Sequence, residues 1–232
     1  MRIKFYAHAC FRLEAMVNDR SSTSGELTRT ISIITDPYTP SVAQFDPVGE
    51  TADIVLMSSG NDRFHSDYTQ IPGDPHIINA LDIGSAGLTV EGIRIQSFPN
   101  RENKSEDAAD NAMYGVYLDG ITLVHMGDAG HLPAPEQIRF LADQVDVLLA
   151  LVGGPPTITL DDLDRFIAAV KPRLVIPMHY YNSRGVLNIL PVTAYTDRYP
   201  PEQVTWLDTS EMEITPATLP EIMQIVVLQQ SR

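Results

Sequence analysis

Along the first third of the chain, apolar and polar residues alternate with the period of two that turns one face of a strand toward a core. The alternation predicts strands at residues 2–6, 10–15 and 30–35, the last two joined through the polar, Ser/Thr-rich stretch 18–26 as a long hairpin loop. Residues 53–57 (Asp-Ile-Val-Leu-Met) replace the alternation with a continuous β-branched run, as expected of a strand buried on both faces, and the run empties into the polar segment 58–67. Binding chemistry concentrates in loops of that kind. Residues 76–80 and 88–98 read as further strands, the second folded back around Glu91-Gly92, and an acidic loop spans 100–110. Residues 113–118 and 121–126 flank Asp119-Gly120, a pair that tolerates the positive φ of a two-residue hairpin turn.

The rhythm then changes to helical spacing at 135–143 and 159–170, around an apolar strand at 145–151. In the second helix Leu160, Leu163, Phe166, Ile167 and Val170 share a face, Thr159 with Asp162 makes a capping-box-like start, and Lys171-Pro172 stops it. Residues 173–178 form another buried strand ending at His179, so strand and helix alternate as in α/β proteins. A Pro-rich passage at 191–201 leads to a closing strand near 222–228.

With 232 residues, 44% of them hydrophobic and 20% charged, the chain can bury a sizeable core, and a single domain over 1–232 is expected. Its 16 basic and 30 acidic side chains leave a net charge of -14, which serves solubility and repels nucleic-acid phosphates and anionic membranes. A small-molecule substrate is the expected partner. The single cysteine, Cys10, can form no intramolecular disulfide, and the opening residues lack the apolar core of a signal peptide, so a cytoplasmic location is expected. The longest apolar run, near 145–152, is interrupted by Asp146 and falls well short of the roughly 18 residues a membrane helix needs.

Five short segments carry the chemistry, in this order: Ala7-His8-Ala9-Cys10-Phe11-Arg12-Leu13-Glu14, Thr35-Asp36-Pro37-Tyr38, Val124-His125-Met126-Gly127-Asp128-Ala129-Gly130-His131, residues 145–154 with the Gly153-Gly154 pair, and Ile176-Pro177-Met178-His179-Tyr180. Together they resemble the metallo-β-lactamase superfamily, in the lactonase-like branch that includes L-ascorbate-6-phosphate lactonase; Ala7 stands where that branch usually has glycine. Any one segment would be weak, but their order and spacing over roughly residues 1–182 make a specific signal. The resemblance implies an α/β fold, a four-layer αββα sandwich with metals held by loops at one edge of the sheets. It also makes a homo-oligomer an expectation.

The family signature, H-x-H-x-D-H after the buried strand, is where this sequence departs. The strand is followed by Ser58-Ser59-Gly60-Asn61-Asp62-Arg63-Phe64-His65-Ser66-Asp67-Tyr68. Without a gap, the ligand positions become Ser59, Asn61, Arg63 and Phe64. With one inserted residue, His65-Ser66-Asp67-Tyr68 aligns with the family's H-L-D-Y continuation and His65 keeps the last histidine; we prefer this alignment because the context matches too. The family's next histidine, expected near the end of the strand at 93–99, is also missing, since Phe98-Pro99-Asn100-Arg101 offers no imidazole. A normal dinuclear centre is therefore not expected.

The resemblance leaves one site for at most one divalent ion, zinc before manganese or iron, held by His65, Asp128 and His179. Asp128 doubles as a catalytic candidate, with Asp62 or Asp67 as an extra ligand or general base and Arg63 as a guanidinium that holds an anionic substrate or pairs with Asp128. The plainer readings make Asp128 a turn residue bonded to backbone N–H groups and His179 a buried, hydrogen-bonded histidine. His8, His125 and His131 read as structural groups or as supports behind the ligands, and His76 has no motif around it. Two functions follow: a metal-dependent hydrolase of a small ester, lactone or phosphorylated metabolite, or a metal-free relative serving as a binding or assembly module with Arg63 in the vacated site.

Overall fold

The computed structural model describes residues 1–19, 27–60, 63–105 and 107–232. Its strands are β1 (Arg2–Ala7), β2 (Cys10–Asp19), β3 (Leu27–Thr35), β4 (Ile54–Met57), β5 (His76–Asn79), β6 (Leu88–Val90), β7 (Ile93–Arg101), β8 (Asp110–Leu118), β9 (Ile121–His125), β10 (Val147–Leu151), β11 (Leu174–Met178), β12 (Val204–Trp206), β13 (Glu211–Glu213) and β14 (Gln224–Val227). The α-helices are α1 (Pro40–Ala43), α2 (Pro135–Leu141), α3 (Leu160–Val170) and α4 (Thr193–Thr196). One sheet runs β13-β1-β2-β3-β4-β5 and the other β12-β14-β11-β10-β9-β8-β7-β6.

Alternation explains how the sheets stack. Ile3, Phe5, Leu13, Ile33, Ile54 and Leu56 point inward and join Leu123, Leu149 and Ile176 of the second sheet in one buried core. The opposite face of the first sheet, carrying Tyr6, Ile34, Val55 and Met57, is covered by Tyr38, Phe45, Val48 and Ile71 from the connecting loops and by Ala43 of α1. On the second sheet α3 buries Leu163, Phe166, Ile167 and Val170, each side chain contributing about 1.5–3 kcal/mol. The result is the expected αββα sandwich with few helices.

The predicted elements stand largely where the pattern put them. Thr159 caps α3 by accepting the Asp162 N–H at 3.2 Å, and Lys171 ends it in the left-handed conformation. Asp119 and Gly120 turn at φ 56° and 72°, and Glu91 and Gly92 at 52° and 82°. The β2–β3 hairpin is longer than expected, paired from Phe11↔Thr35 out to Asp19↔Leu27, because backbone ladder bonds continue past the end of the apolar pattern. Residues 20–26 of its loop lie outside the described residues. β7 runs to Arg101, taking the first residues of the expected acidic loop. Among the described residues, no helix is long and apolar enough to cross a membrane.

Strand direction positions the site. β3, β4 and β5 are parallel, as are β9, β10 and β11, so the segments leaving β3, β4, β9 and β11 emerge at the carboxyl ends of their strands. The turn from β1 into β2 reaches the same edge, because its His8 carbonyl accepts the His179 N–H.

Candidate metal centre

His8 and Ala9 form the two-residue turn between β1 and β2, and His179 follows β11. Both histidines take left-handed backbone angles, φ 59° and 53°. For a residue with a Cβ that conformation costs on the order of 1 kcal/mol, and it persists only where the surroundings enforce it. Here the enforcement is visible: the His179 N–H donates to the His8 carbonyl at 2.7 Å. Gly153 packs beneath, and a Cβ there would stand 2.2 Å from the His179 carbonyl oxygen. The Gly153-Gly154 pair thus lets the chain after β10 touch the backbone of a site histidine.

These turns bring His8 and His179 to His65, which lies beyond β4. One potential ligand atom from each of the three lies within 4.8 Å of the others. The ring centroids are 4.2 Å apart for His8 and His179, 4.8 Å for His8 and His65, and 5.9 Å for His65 and His179. All three residues are buried, at 4%, 1% and 3% exposure for His8, His65 and His179. Burial, reinforced by the neighbouring His179 and His65 imidazoles, holds the His8 imidazole well below its ordinary range. His8 is therefore neutral, the form that ligates metals.

The fourth group is Asp128, in the turn after β9, with an oxygen 3.3 Å from His179 Nε2. Its backbone N–H donates to Asn111 Oδ1 at 3.1 Å, and Asn111 Nδ2 donates to Asn100 Oδ1 at 2.7 Å. Asn100 sits near the end of the strand where the resemblance calls for a histidine, so an amide chain supports Asp128 where the family would place a metal ligand. Gly127, at φ 59°, permits the close turn: a Cβ would lie 2.7 Å from Ser58 Cβ and 2.9 Å from Asn111 Oδ1.

His125 ties the turns together. Its Nδ1 accepts the Gly127 N–H at 2.9 Å, so its Nε2 carries the proton and donates to the Ala9 carbonyl at 2.9 Å. One neutral imidazole thereby links the neighbour of His8 to the neighbour of Asp128, while burial holds its pKa down to about 3. Beside it, fully buried Asp36 accepts from the Ser58 N–H and hydroxyl, each at 2.7 Å, and from the Tyr114 hydroxyl at 3.2 Å. Burial pushes the Asp36 carboxyl up to about 7 against these bonds.

Do these residues fit a metal? His8 Nε2 is buried with no hydrogen-bond partner among the described residues, a cost of about 1–3 kcal/mol that an ion would relieve, and Asp128 Oδ1 makes no hydrogen bond of good geometry there, only the 3.3 Å contact with His179 Nε2. Even at the 4.8 Å limit, a point equidistant from three donors lies about 2.8 Å from each, so sub-ångström side-chain shifts suffice for zinc–imidazole bonds. Three imidazoles and a carboxylate are also a normal zinc donor set. They fit.

A model of the beta-lactamase superfamily domain matches residues 2–179, more than half of the chain. The chain belongs to the beta-lactamase superfamily. Among curated members, a protein of Thermoplasma acidophilum named as a metal-dependent hydrolase is 25% identical over 201 residues, covering 78% of this chain and 83% of the relative. A Pyrococcus furiosus relative is 27% identical over 197 residues, with the same coverages of 78% and 83%. A Thermotoga maritima crystal structure, described as an inferred Zn-dependent hydrolase of this superfamily, superposes with a TM-score of 0.73 at 26% identity, covering 98% of this chain and 97% of that one.

Against this superfamily frame, the structure brings His65 and His179 together and sets Asp128 beside His179. It adds His8, which by its motif alone reads as a structural or supporting group. Its opening segment carried the signal, but only the β1–β2 turn reveals which way the imidazole faces. Asp62 lies outside the described residues. Arg63 is exposed, lines a surface recess with Thr39, Met57, Ser66, Asp67 and Tyr68, and makes no ion pair with Asp128 among the described residues. His131 contacts the Leu132 carbonyl at 2.9 Å, and exposed His76 meets Glu91 at 2.9 Å.

Proposed function

We propose that this chain is a metal-dependent hydrolase that works with one divalent ion, zinc by preference, held by His8, His65 and His179 with Asp128 as the fourth group. The convergence of three buried imidazoles carries the reading. The names of the Thermoplasma and Thermotoga proteins support it in both reaction type and metal.

When bound, the ion supplies Lewis-acid polarisation of a carbonyl or phosphoryl oxygen and makes water more acidic. The protein supplies the rest. The His8–His179 backbone bond and the Gly153 contact hold two of the imidazoles in fixed orientations. Asp128 Oδ1, backed by the Asn111–Asn100 chain, can accept a proton from an attacking water. Burial of the three rings excludes bulk water from the reacting groups, and at His8 it also keeps the imidazole neutral. The substrate class that the resemblance implies, a small ester, lactone or phosphorylated metabolite, suits such chemistry.

Elemental analysis of the purified protein after zinc dialysis tests the proposal. We expect about one equivalent per chain, with affinity falling at least tenfold in His8→Ala and in Asp128→Ala. Wild-type protein that takes up no zinc, manganese or iron would sink the metal reading; unchanged affinity in His8→Ala alone would restore the narrower set of His65, Asp128 and His179.

A further inference from the structure

The turns that carry His8 and His179 belong to different sheets. His8 follows β1 of the first sheet and His179 follows β11 of the second, so the distance between their imidazoles depends on how the sheets are tied at this edge. One tie is the His179 N–H bond to the His8 carbonyl. Another runs through residues 228–232, which leave β14 of the second sheet and reach β1 of the first.

On one side this stretch holds the segment after His179. The Leu228 carbonyl accepts the Tyr180 hydroxyl at 3.3 Å, and the Gln230 side chain accepts the Asn182 amide. On the other side it holds the strand that leads into His8. β13 pairs with β1 only as far as Lys4, with a last bond from the Phe5 N–H to the Ser210 carbonyl at 2.8 Å. Phe5 and Tyr6 are fully buried, so their carbonyls need partners from elsewhere. The N–H groups of Ser231 and Arg232 supply them, at 3.2 Å to Phe5 and 3.0 Å to Tyr6, and the Ser231 hydroxyl adds a bond to the Phe5 carbonyl at 3.0 Å.

Arg232 locks the stretch in place. Its guanidinium donates to the Pro47 and Val48 carbonyls and to the Glu50 carboxylate, each at 3.1 Å, and lies over the Tyr6 ring at 5.1 Å from the centroid. A planar fork that meets several acceptors at once fixes one position of the chain, which the point charge of a lysine does not. Leu228, 1% exposed, anchors the other end in the core.

We propose that residues 228–232 form a clasp that positions the metal centre: by joining Tyr180 and Asn182 to Phe5 and Tyr6, they hold the His8 and His179 imidazoles at the separation an ion requires. Arg232 is the main positioning residue and acts through the two turns. The consequence for the ion rests on the metal reading above, whereas the clasp itself rests on its hydrogen bonds. Both histidines keep left-handed backbone angles that persist only while their surroundings enforce them, so a loosened clasp shows first at the bond between them.

Arg232→Ala tests this with two readouts. In chelator-treated protein, hydrogen exchange of the His179 amide should accelerate about tenfold more than that of Leu163, whose N–H bonds to the Thr159 carbonyl in α3. On zinc titration, affinity should fall about tenfold or more. Gln230→Ala, a smaller cut in the same clasp, should move both readouts in the same direction by about twofold to tenfold, and it decides the matter if Arg232→Ala does not fold. Equal acceleration at His179 and Leu163, or zinc affinity unchanged in both variants, overturns the clasp and leaves the metal reading standing. If the wild-type chain takes up no zinc, the metal reading falls, and the exchange contrast alone decides whether residues 228–232 position the two histidine turns.

Discussion

Replacing His125 with phenylalanine isolates what the link between the two turns contributes. Phenylalanine keeps the size of the ring and the stack on Tyr114, whose centroid lies 4.8 Å away at 8°. It removes both hydrogen bonds. The Gly127 N–H loses its partner outright, whereas the Ala9 carbonyl keeps a long contact from Thr35 Oγ1 at 3.4 Å. One orphaned donor and one poorly served acceptor cost about 2–4 kcal/mol, which for a chain of this size lowers the melting temperature by roughly 5–15 °C. The pH dependence separates this account from general damage. Burial holds folded His125 to about 3, below the ordinary value near 6.5. The folded state therefore binds fewer protons than the unfolded one between those values, and the stability due to this group is complete above pH 6.5 and drains away as pH falls toward 3, at about 1.4 kcal/mol per unit. His125→Phe lacks that loss. Its deficit at pH 7 should close between about pH 5 and pH 3.5, because His8, depressed in the same direction, is common to both proteins and cancels. Urea unfolding of both chelator-treated proteins at pH 7 and 4.5 measures it. A deficit that is absent at pH 7, or equally large at pH 4.5, refutes the neutral, doubly bonded imidazole.

Two other substitutions follow from the geometry. Gly153→Ala should cost about 1–3 kcal/mol or more in overpacking and also weaken zinc binding, because its Cβ would press on the His179 carbonyl from 2.2 Å; a variant with wild-type melting temperature and zinc affinity contradicts this. Thr159→Ala should lose about 1 kcal/mol with the cap of α3, a fall of some 2–4 °C in melting temperature, and leave zinc affinity untouched; a change in affinity would mean that the helix start is coupled to the site.

Much of the fold was legible because it is written in local periodicity. The alternation in β1–β3, the unbroken apolar run of β4 and the helical stripe ending at Val170 each specify which face is buried, and burial is what the sandwich is built from. The Thr159 cap and the Asp119-Gly120 turn were readable for the same reason, since their chemistry acts over a few residues. Element ends were less so. β2 and β3 extend as far as Asp19 and Leu27 on backbone bonds that leave no trace in side-chain type.

The site divides along the same line. Its motifs identify His65, Asp128 and His179 as candidates, because spacing within each segment is preserved in the chain. Residue type alone could not rank His8 above His125. They are imidazoles in equally distinctive segments, and both end up buried and neutral. What separates them is the partner each ring nitrogen meets: two backbone groups occupy His125, while His8 Nε2 faces the other histidines without a hydrogen bond among the described residues.

The sequence by itself determined the layers of the sandwich, the hydrophobic faces and a short set of ionisable candidates, all properties of neighbours along the chain. Only the tertiary structure decided which imidazoles converge and that Asn100 and Asn111 brace Asp128. The His8–His179 and Ala9–His125 bonds join residues more than a hundred positions apart, and direction across such distances is set by strand pairing and packing rather than by local preference.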